Sequence, residues 1–174
     1  MEVQREGPVM AVSPNAVRPV GGLDAIDRRL VALLQEDARL PNSRLADIVG
    51  IAPSTCLARV RGLVERGVIT GFTARVSPAA LGWGLEALIS VSIRSGARQH
   101  ITEFAAQIRD APEVVQVFFL GGSEDFIIHV AAEDSDHIRE FVLARLSASP
   151  VVASTRTSMV FDHTYNGVRI DQRD

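Results

Sequence analysis

The chain has 174 residues, enough for one large domain or two small ones. It is 47% hydrophobic and 22% charged, which suits a soluble globular protein and excludes a disordered polyelectrolyte. The formal net charge of −3 excludes uniform electrostatic attraction to nucleic acid.

The charge is unevenly placed. Residues 24–67 carry seven Arg against six Asp and Glu, whereas residues 84–174 carry eight Arg against thirteen. The acidity therefore sits in the second half, and the first half is free to approach phosphates. Every basic side chain is Arg; there is no Lys. The single cysteine, Cys56, excludes an intramolecular disulfide framework and suits a reducing cytoplasm. No apolar run is long enough to span a membrane. Pro8, Ser13, Pro14 and Asn15 interrupt any signal-peptide core.

Residues 1–22 show no periodicity and read as a flexible arm. From Asp24 a helix is expected. Asp24 suits its cap, Asp27 complements the dipole of its first turn, and Ile26, Leu30, Leu33 and Leu34 form its apolar stripe to near Asp37. Pro41–Asn42 breaks the chain. Asn42 or Ser43 suits the cap of a short second helix over Arg44–Val49, and Gly50 follows. The stretch Ile51–Phe72 then holds a longer helix. Pro53 suits its first turn, Cys56, Val60, Leu63 and Val64 its buried stripe, and Gly67 its stop. The opposite face carries Ser54, Ala58 and Arg61, flanked by Thr55 and Leu57. Two helices, a tight glycine turn and a helix exposing small and basic groups make a helix-turn-helix plan over residues 23–68.

Ile69–Val76 reads as a strand. Ser77, Pro78 and Gly82–Trp83–Gly84 make a connector, with Trp83 as its hydrophobic anchor, so residues 69–84 separate two domains. The rest, residues 85–174, alternates. Strands are expected at Glu86–Arg94, Val114–Leu120, Asp125–Ala132 and Val151–Phe161. Helices are expected at Gln99–Asp110 and from Asp134 or Ser135 to about Ala148. The order β-α-β-β-α-β is the ferredoxin-like plan, so the fold class is α+β. Both helices cover one sheet face, yet Phe118 and Leu120 alternate with the equally apolar Val117 and Phe119. The second face therefore needs cover, most simply by the same face of another copy.

These residues carry a resemblance. Leu23–Asp24 with Ile26–Asp27, the run PSTCLARVRGL, and Gly67–Val68–Ile69 before Gly71–Phe72 resemble the winged-helix-like DNA-binding domain of the Lrp/AsnC (feast/famine) transcriptional regulators. GGSEDF and VVASTRTSMVF resemble the effector loop and last strand of that family's amino-acid-sensing domain. The resemblance implies a protein of the cytoplasm and nucleoid that binds double-stranded DNA. It implies dimers assembled into tetramers or octamers, and a small amino-acid effector held between dimers. It places the effector at Phe119, Gly121, Gly122 and Asp125, with Thr157 and Ser158 closing the site from a neighbouring subunit. Glycine N–H groups suit a carboxylate, and Asp125 suits an ammonium. Two departures stand out: Ser158 and Met159 replace bulkier side chains, and Gly62 replaces a basic one.

Ser54, Thr55, Leu57, Ala58, Arg59 and Arg61 are the expected DNA contacts. Arg paired to guanine is the commonest specific base contact, and Leu57 and Ala58 suit thymine methyls. For Arg59, nearer the core stripe, a phosphate contact and an internal ion pair both stand open. The competing reading of Asp125 is an ordinary turn or strand-start residue, and Cys56 reads as a buried small hydrophobe rather than a redox sensor. His100, His129, His137 and His163 have no ligand-like spacing, so no metal is expected. No phosphate loop, activated nucleophile or acid–base pair points to an enzyme or a cofactor. The expectation is a DNA-binding regulator of amino-acid metabolism whose assembly answers to an effector. The alternative is a stand-alone amino-acid-binding module acting on an enzyme partner.

Overall fold

A computed structural model describes residues 22–167. The arm over residues 1–22 lies, apart from Gly22, outside the described residues, as does the tail beyond Gly167. The chain divides into two compact units, and the division falls between Ala74 and Arg75, inside the segment expected to be a strand.

The first unit is built on three helices, α1 (Ala25–Glu36), α2 (Asn42–Val49) and α3 (Pro53–Glu65). Asp24 caps α1 by accepting a hydrogen bond from the Asp27 N–H at 2.7 Å. That satisfies a donor which the first turn of a helix leaves without a partner. Leu30, Leu45, Cys56 and Leu63 are fully or almost fully buried and join the three helices in one core. Of the stripe expected on α3, Val60 packs partly and Val64 is exposed; the helix meets its neighbours along a narrower seam than the spacing predicted. The α2–α3 turn rests on Gly50, whose φ of 78° a side chain would strain. Gly67 closes α3 in the same way at φ 71°, with the Val68 N–H donating back to the Leu63 carbonyl.

Two expectations fail here. Neither Asn42 nor Ser43 caps α2; Pro41 stands at the cap without a side-chain bond. Asn42 donates instead to the Pro53 carbonyl at 2.8 Å, tying the start of α2 to the first turn of α3. Ile69–Val76 forms no strand. A strand exists by its ladder, and among the described residues nothing pairs with this segment.

The second unit begins with a 3-10 turn, Pro78–Leu81, and the half-buried Trp83. There follow β1 (Leu85–Ile93), a 3-10 stretch Ser95–His100, α4 (Ile101–Arg109), β2 (Val114–Phe119), β3 (Phe126–Ala132), α5 (Ser135–Phe141) and β4 (Val152–Val160). Asp134 caps α5, which widens into a π-type stretch over Val142–Ser147 before β4. The sheet order is β2-β3-β1-β4, and every neighbouring pair is antiparallel. This is the expected ferredoxin-like topology. The helix side of the sheet carries Ala87, Ile89 and Val91 of β1 and Phe126, Ile128 and Val130 of β3 against Phe104, Ile108, Ile138, Phe141 and Leu146. The other face carries Leu88, Ile127 and Phe118, with Leu88 and Phe118 exposed, but among Glu86, Ser90, His129, Arg156 and Ser158, so it is mixed and not apolar as the double alternation implied. His129, almost buried, is held there by Glu86 at 2.6 Å.

Two substitutions test this account by urea unfolding. Phe126 is 1% exposed, and Phe126→Ala is expected to cost about 3–5 kcal/mol. A Cβ at Gly62 meets nothing within 4 Å, and the residue is helical, so Gly62→Ala is expected to stabilise the helical unit by about 0.5–1 kcal/mol.

Candidate nucleic-acid interface and ligand loop

The outer face of α3 follows from its inner one. With Cys56 and Leu63 fixed in the core, Ser54, Thr55, Leu57, Ala58 and Arg61 all stand exposed. Leu57 is an uncovered aliphatic side chain at 41% exposure, and Arg61 makes no hydrogen bond or ion pair among the described residues. One unpaired guanidinium among small and apolar groups can donate to a base edge and still fit a groove.

Arg59 points elsewhere. Its Nη1 donates to Asp24 Oδ2 at 2.6 Å and to Asp27 Oδ1 at 2.9 Å. Arg66 Nη2 donates to the other oxygen of Asp27 at 2.7 Å, and Arg66 Nε donates to the Gly62 carbonyl. Of the two readings open for Arg59, the geometry is the internal ion pair. Asp27 is 5% exposed, one of two buried polar residues among those described. The Asp27 N–H, and then Arg59, hold the Asp24 carboxyl below its ordinary range; Asp24 and then Asp27 raise Arg59. Asp24 and Asp27 read in sequence as cap and dipole partner only. The missed signal was the Arg59–Arg66 spacing of seven, two helical turns on one face. Burial pushes the Cys56 thiol up, away from the reactive thiolate.

In the second unit the loop between β2 and β3 gathers Phe119, Gly121, Gly122 and Asp125. Phe119 is 61% exposed, its ring 5.1 Å from that of Phe126. The Leu120 N–H donates to the Asp125 carbonyl, and the Asp125 N–H to the Val91 carbonyl, pinning the loop's base to β1. The N–H groups of Gly121, Gly122, Ser123 and Glu124 find no acceptor among the described residues, and nothing lies within 4 Å of a Cβ built at either glycine. The loop thus presents open donors, the chemistry of an anion nest. The Asp125 side chain makes no local turn bond among the described residues; its Oδ2 accepts from the Ile93 N–H of β1 at 2.7 Å, a long-range tie that adds to the backbone one. Its Oδ1 faces Arg98 at 3.7 Å.

Thr157 and Ser158 lie on β4, paired with Ile89 and Leu88, on opposite faces of the sheet. β4 is the edge strand farthest from β2 in the sheet order. What ties the loop to β4 is a pair that sequence reading did not single out, Glu124 with Arg156. Among the described residues, no group of three His, Cys, Asp or Glu is placed to hold a metal, and no helix is long and apolar enough to cross a membrane.

The depressed Asp24 gives a pH prediction. Its ionised form favours folding, so its contribution is complete above the ordinary value of 3.8 and is lost as pH falls through the lower folded value. Thermal unfolding of the helical unit is expected to weaken below about pH 4, and Asp24→Ala to flatten that limb while costing about 1 kcal/mol at neutral pH.

Comparison with known proteins agrees with both units. Residues 23–64 match the AsnC-type helix-turn-helix domain, and residues 86–170 match the Lrp/AsnC ligand binding domain. The chain is 54% identical over 151 residues to the HTH-type transcriptional regulator AldR of Mycolicibacterium smegmatis, covering 87% of this chain and 88% of that one. It is 34% identical over 149 residues to the leucine-responsive regulatory protein of Rhizobium meliloti, covering 86% and 96%. A transcriptional regulator of Neisseria meningitidis, solved as a complex with L-Met, superposes with a TM-score of 0.75 at 35% identity, covering 82% of this chain and 94% of that one.

Proposed function

The chain belongs to the Lrp/AsnC family of helix-turn-helix transcriptional regulators, and from that premise we propose that α3 reads operator DNA while the β2–β3 loop senses an amino acid. The observation that carries the DNA half is the outer face of α3, exposed and held by a core that leaves Arg61 unpaired. Arg61 reads a base edge, with Ser54 and Thr55 beside it, and Leu57 and Ala58 meet thymine methyls. Arg59 serves the fold rather than the DNA. Two copies set two such helices in successive major grooves, about one helical turn or a multiple apart. This work is done in the cytoplasm, on the nucleoid.

The sensing half rests on the loop. Open N–H groups at Gly121 and Gly122 suit a carboxylate, Asp125 Oδ1 suits an ammonium, and Phe119 offers an exposed ring to a side chain. Together they select a free amino acid over a simple acid or amine. Thr157 and Ser158 of a neighbouring copy close the site. The regulator of Neisseria meningitidis solved with L-Met supports the ligand class. The exposed Leu88 and Phe118 on the outer sheet face suit contact with a second copy in an isologous dimer, and dimers build tetramers or octamers. Effector binding shifts that assembly and with it DNA affinity, controlling genes of amino-acid metabolism. By linkage, DNA shifts effector affinity equally.

Two measurements check this. Arg61→Ala is expected to weaken operator binding in a gel-shift titration by about 1–3 kcal/mol and to relax specificity at one base pair; parent-like binding removes Arg61 from the reading set. Light scattering and gel shifts across a panel of single amino acids are expected to show at least one that changes both particle mass and DNA affinity. A panel without response ends the sensing half and leaves the DNA half intact.

A further inference from the structure

The feature the proposed function leaves unused is the four-charge network between α1 and α3. The core beneath α3 is apolar: Leu30, Leu63 and Cys56 are fully buried. Such contacts are non-directional and give burial without an angle. Ion pairs through fixed guanidinium forks are directional. Asp27, almost fully buried, spends one carboxylate oxygen on Arg59 and the other on Arg66. Those two arginines stand seven residues apart, about 10 Å along the helix. Arg59 also reaches Asp24, whose other oxygen caps α1. One buried carboxylate and one cap therefore grip α3 at two points along its length.

We infer that Asp27, with Arg59, is a positioning residue for DNA reading, setting the rotation of α3 about its own axis while touching no DNA. The inference rests on α3 being the reading helix. Ser54, Ala58 and Arg61 lie on the face turned away from the core. A side-chain tip about 6 Å from the helix axis moves about 1.5 Å when the helix turns by about 15°, enough to break a hydrogen bond to a base. The same network removes Arg59 and Arg66 from the cations offered to phosphate, so it trades electrostatic attraction for angular definition.

The test uses the full-length chain and a duplex that the parent selects from a randomised pool. Affinity is measured over a salt series for the parent, Asp27→Asn, Arg59→Gln and Arg61→Ala, with thermal unfolding alongside. A positioning role predicts that Asp27→Asn and Arg59→Gln each lose about tenfold in affinity, stay folded at the assay temperature, and keep the parent's slope of log affinity against log salt. A phosphate contact at Arg59 predicts instead a slope lower by about 1 for Arg59→Gln, and that outcome overturns the inference. Parent-like affinity of Asp27→Asn overturns it too. Should Asp27→Asn not fold, the slope and affinity of Arg59→Gln decide, because Asp27 keeps Arg66 in that variant. If Arg61→Ala binds like the parent while the network variants weaken, the reading face was misassigned and the positioning role stands. If the parent selects no duplex, the reading of α3 fails and the inference fails with it.

Discussion

One carboxylate organises the helical unit. Asp27 sits almost out of water between α1 and α3, and it is tolerable there because both oxygens meet a guanidinium at hydrogen-bond distance. A buried charge without partners is strongly unfavourable, and a fully paired one roughly breaks even. The network is therefore a source of geometry rather than of net stability, which comes from Leu30, Leu45, Cys56 and Leu63. The outer face of α3 has its direction because the inner face is held in this way.

Charge use follows from that choice. Residues 24–67 hold seven arginines, yet two of them, Arg59 and Arg66, are committed to carboxylates within the fold. The six Asp and Glu of the same residues further offset the five arginines that remain, so the unit carries little net positive charge toward phosphate. Affinity in such a protein has to come from presenting two copies together, where the linked second contact is nearly intramolecular. Lrp-type oligomerisation, which belongs to the family, answers that need.

Two features lack a partner among the described residues. Leu88 and Phe118 stand exposed on the outer sheet face among polar neighbours, and Ile69–Val76, across the division of the two units, has strand composition without a ladder. The β2–β3 loop, by contrast, is fastened within the chain, at its base to β1 and through Glu124 to Arg156 of β4.

Much of this was legible in the residues, because local rules act over a few positions. Periodicity placed α1, α3 and all four strands within a residue or two. The β-α-β-β-α-β order carried the antiparallel topology, and Gly50 and Gly67 marked the backbone reversals that a side chain would strain. The exposed set Ser54, Thr55, Leu57, Ala58 and Arg61 followed from the helical period once the core stripe was assigned. What needed the tertiary structure was every choice between partners distant in sequence. Arg59 could face phosphate or carboxylate, and only the packing of α3 on α1 brought Asp24 and Asp27 to it, more than thirty residues away. Asn42 had the chemistry of a cap, but the nearness of Pro53 offered a better acceptor. Ile69–Val76 had the composition of a strand, but a strand requires a neighbour, and composition does not supply one. Apart from the expected strand at Ile69–Val76, which does not form, the three-helix plan and the four strands of the sheet were thus determined by the sequence alone, through short-range sterics and hydrophobic periodicity. The pairing of its charges was decided by the fold, because a long-range ion pair depends on which surfaces the core brings together.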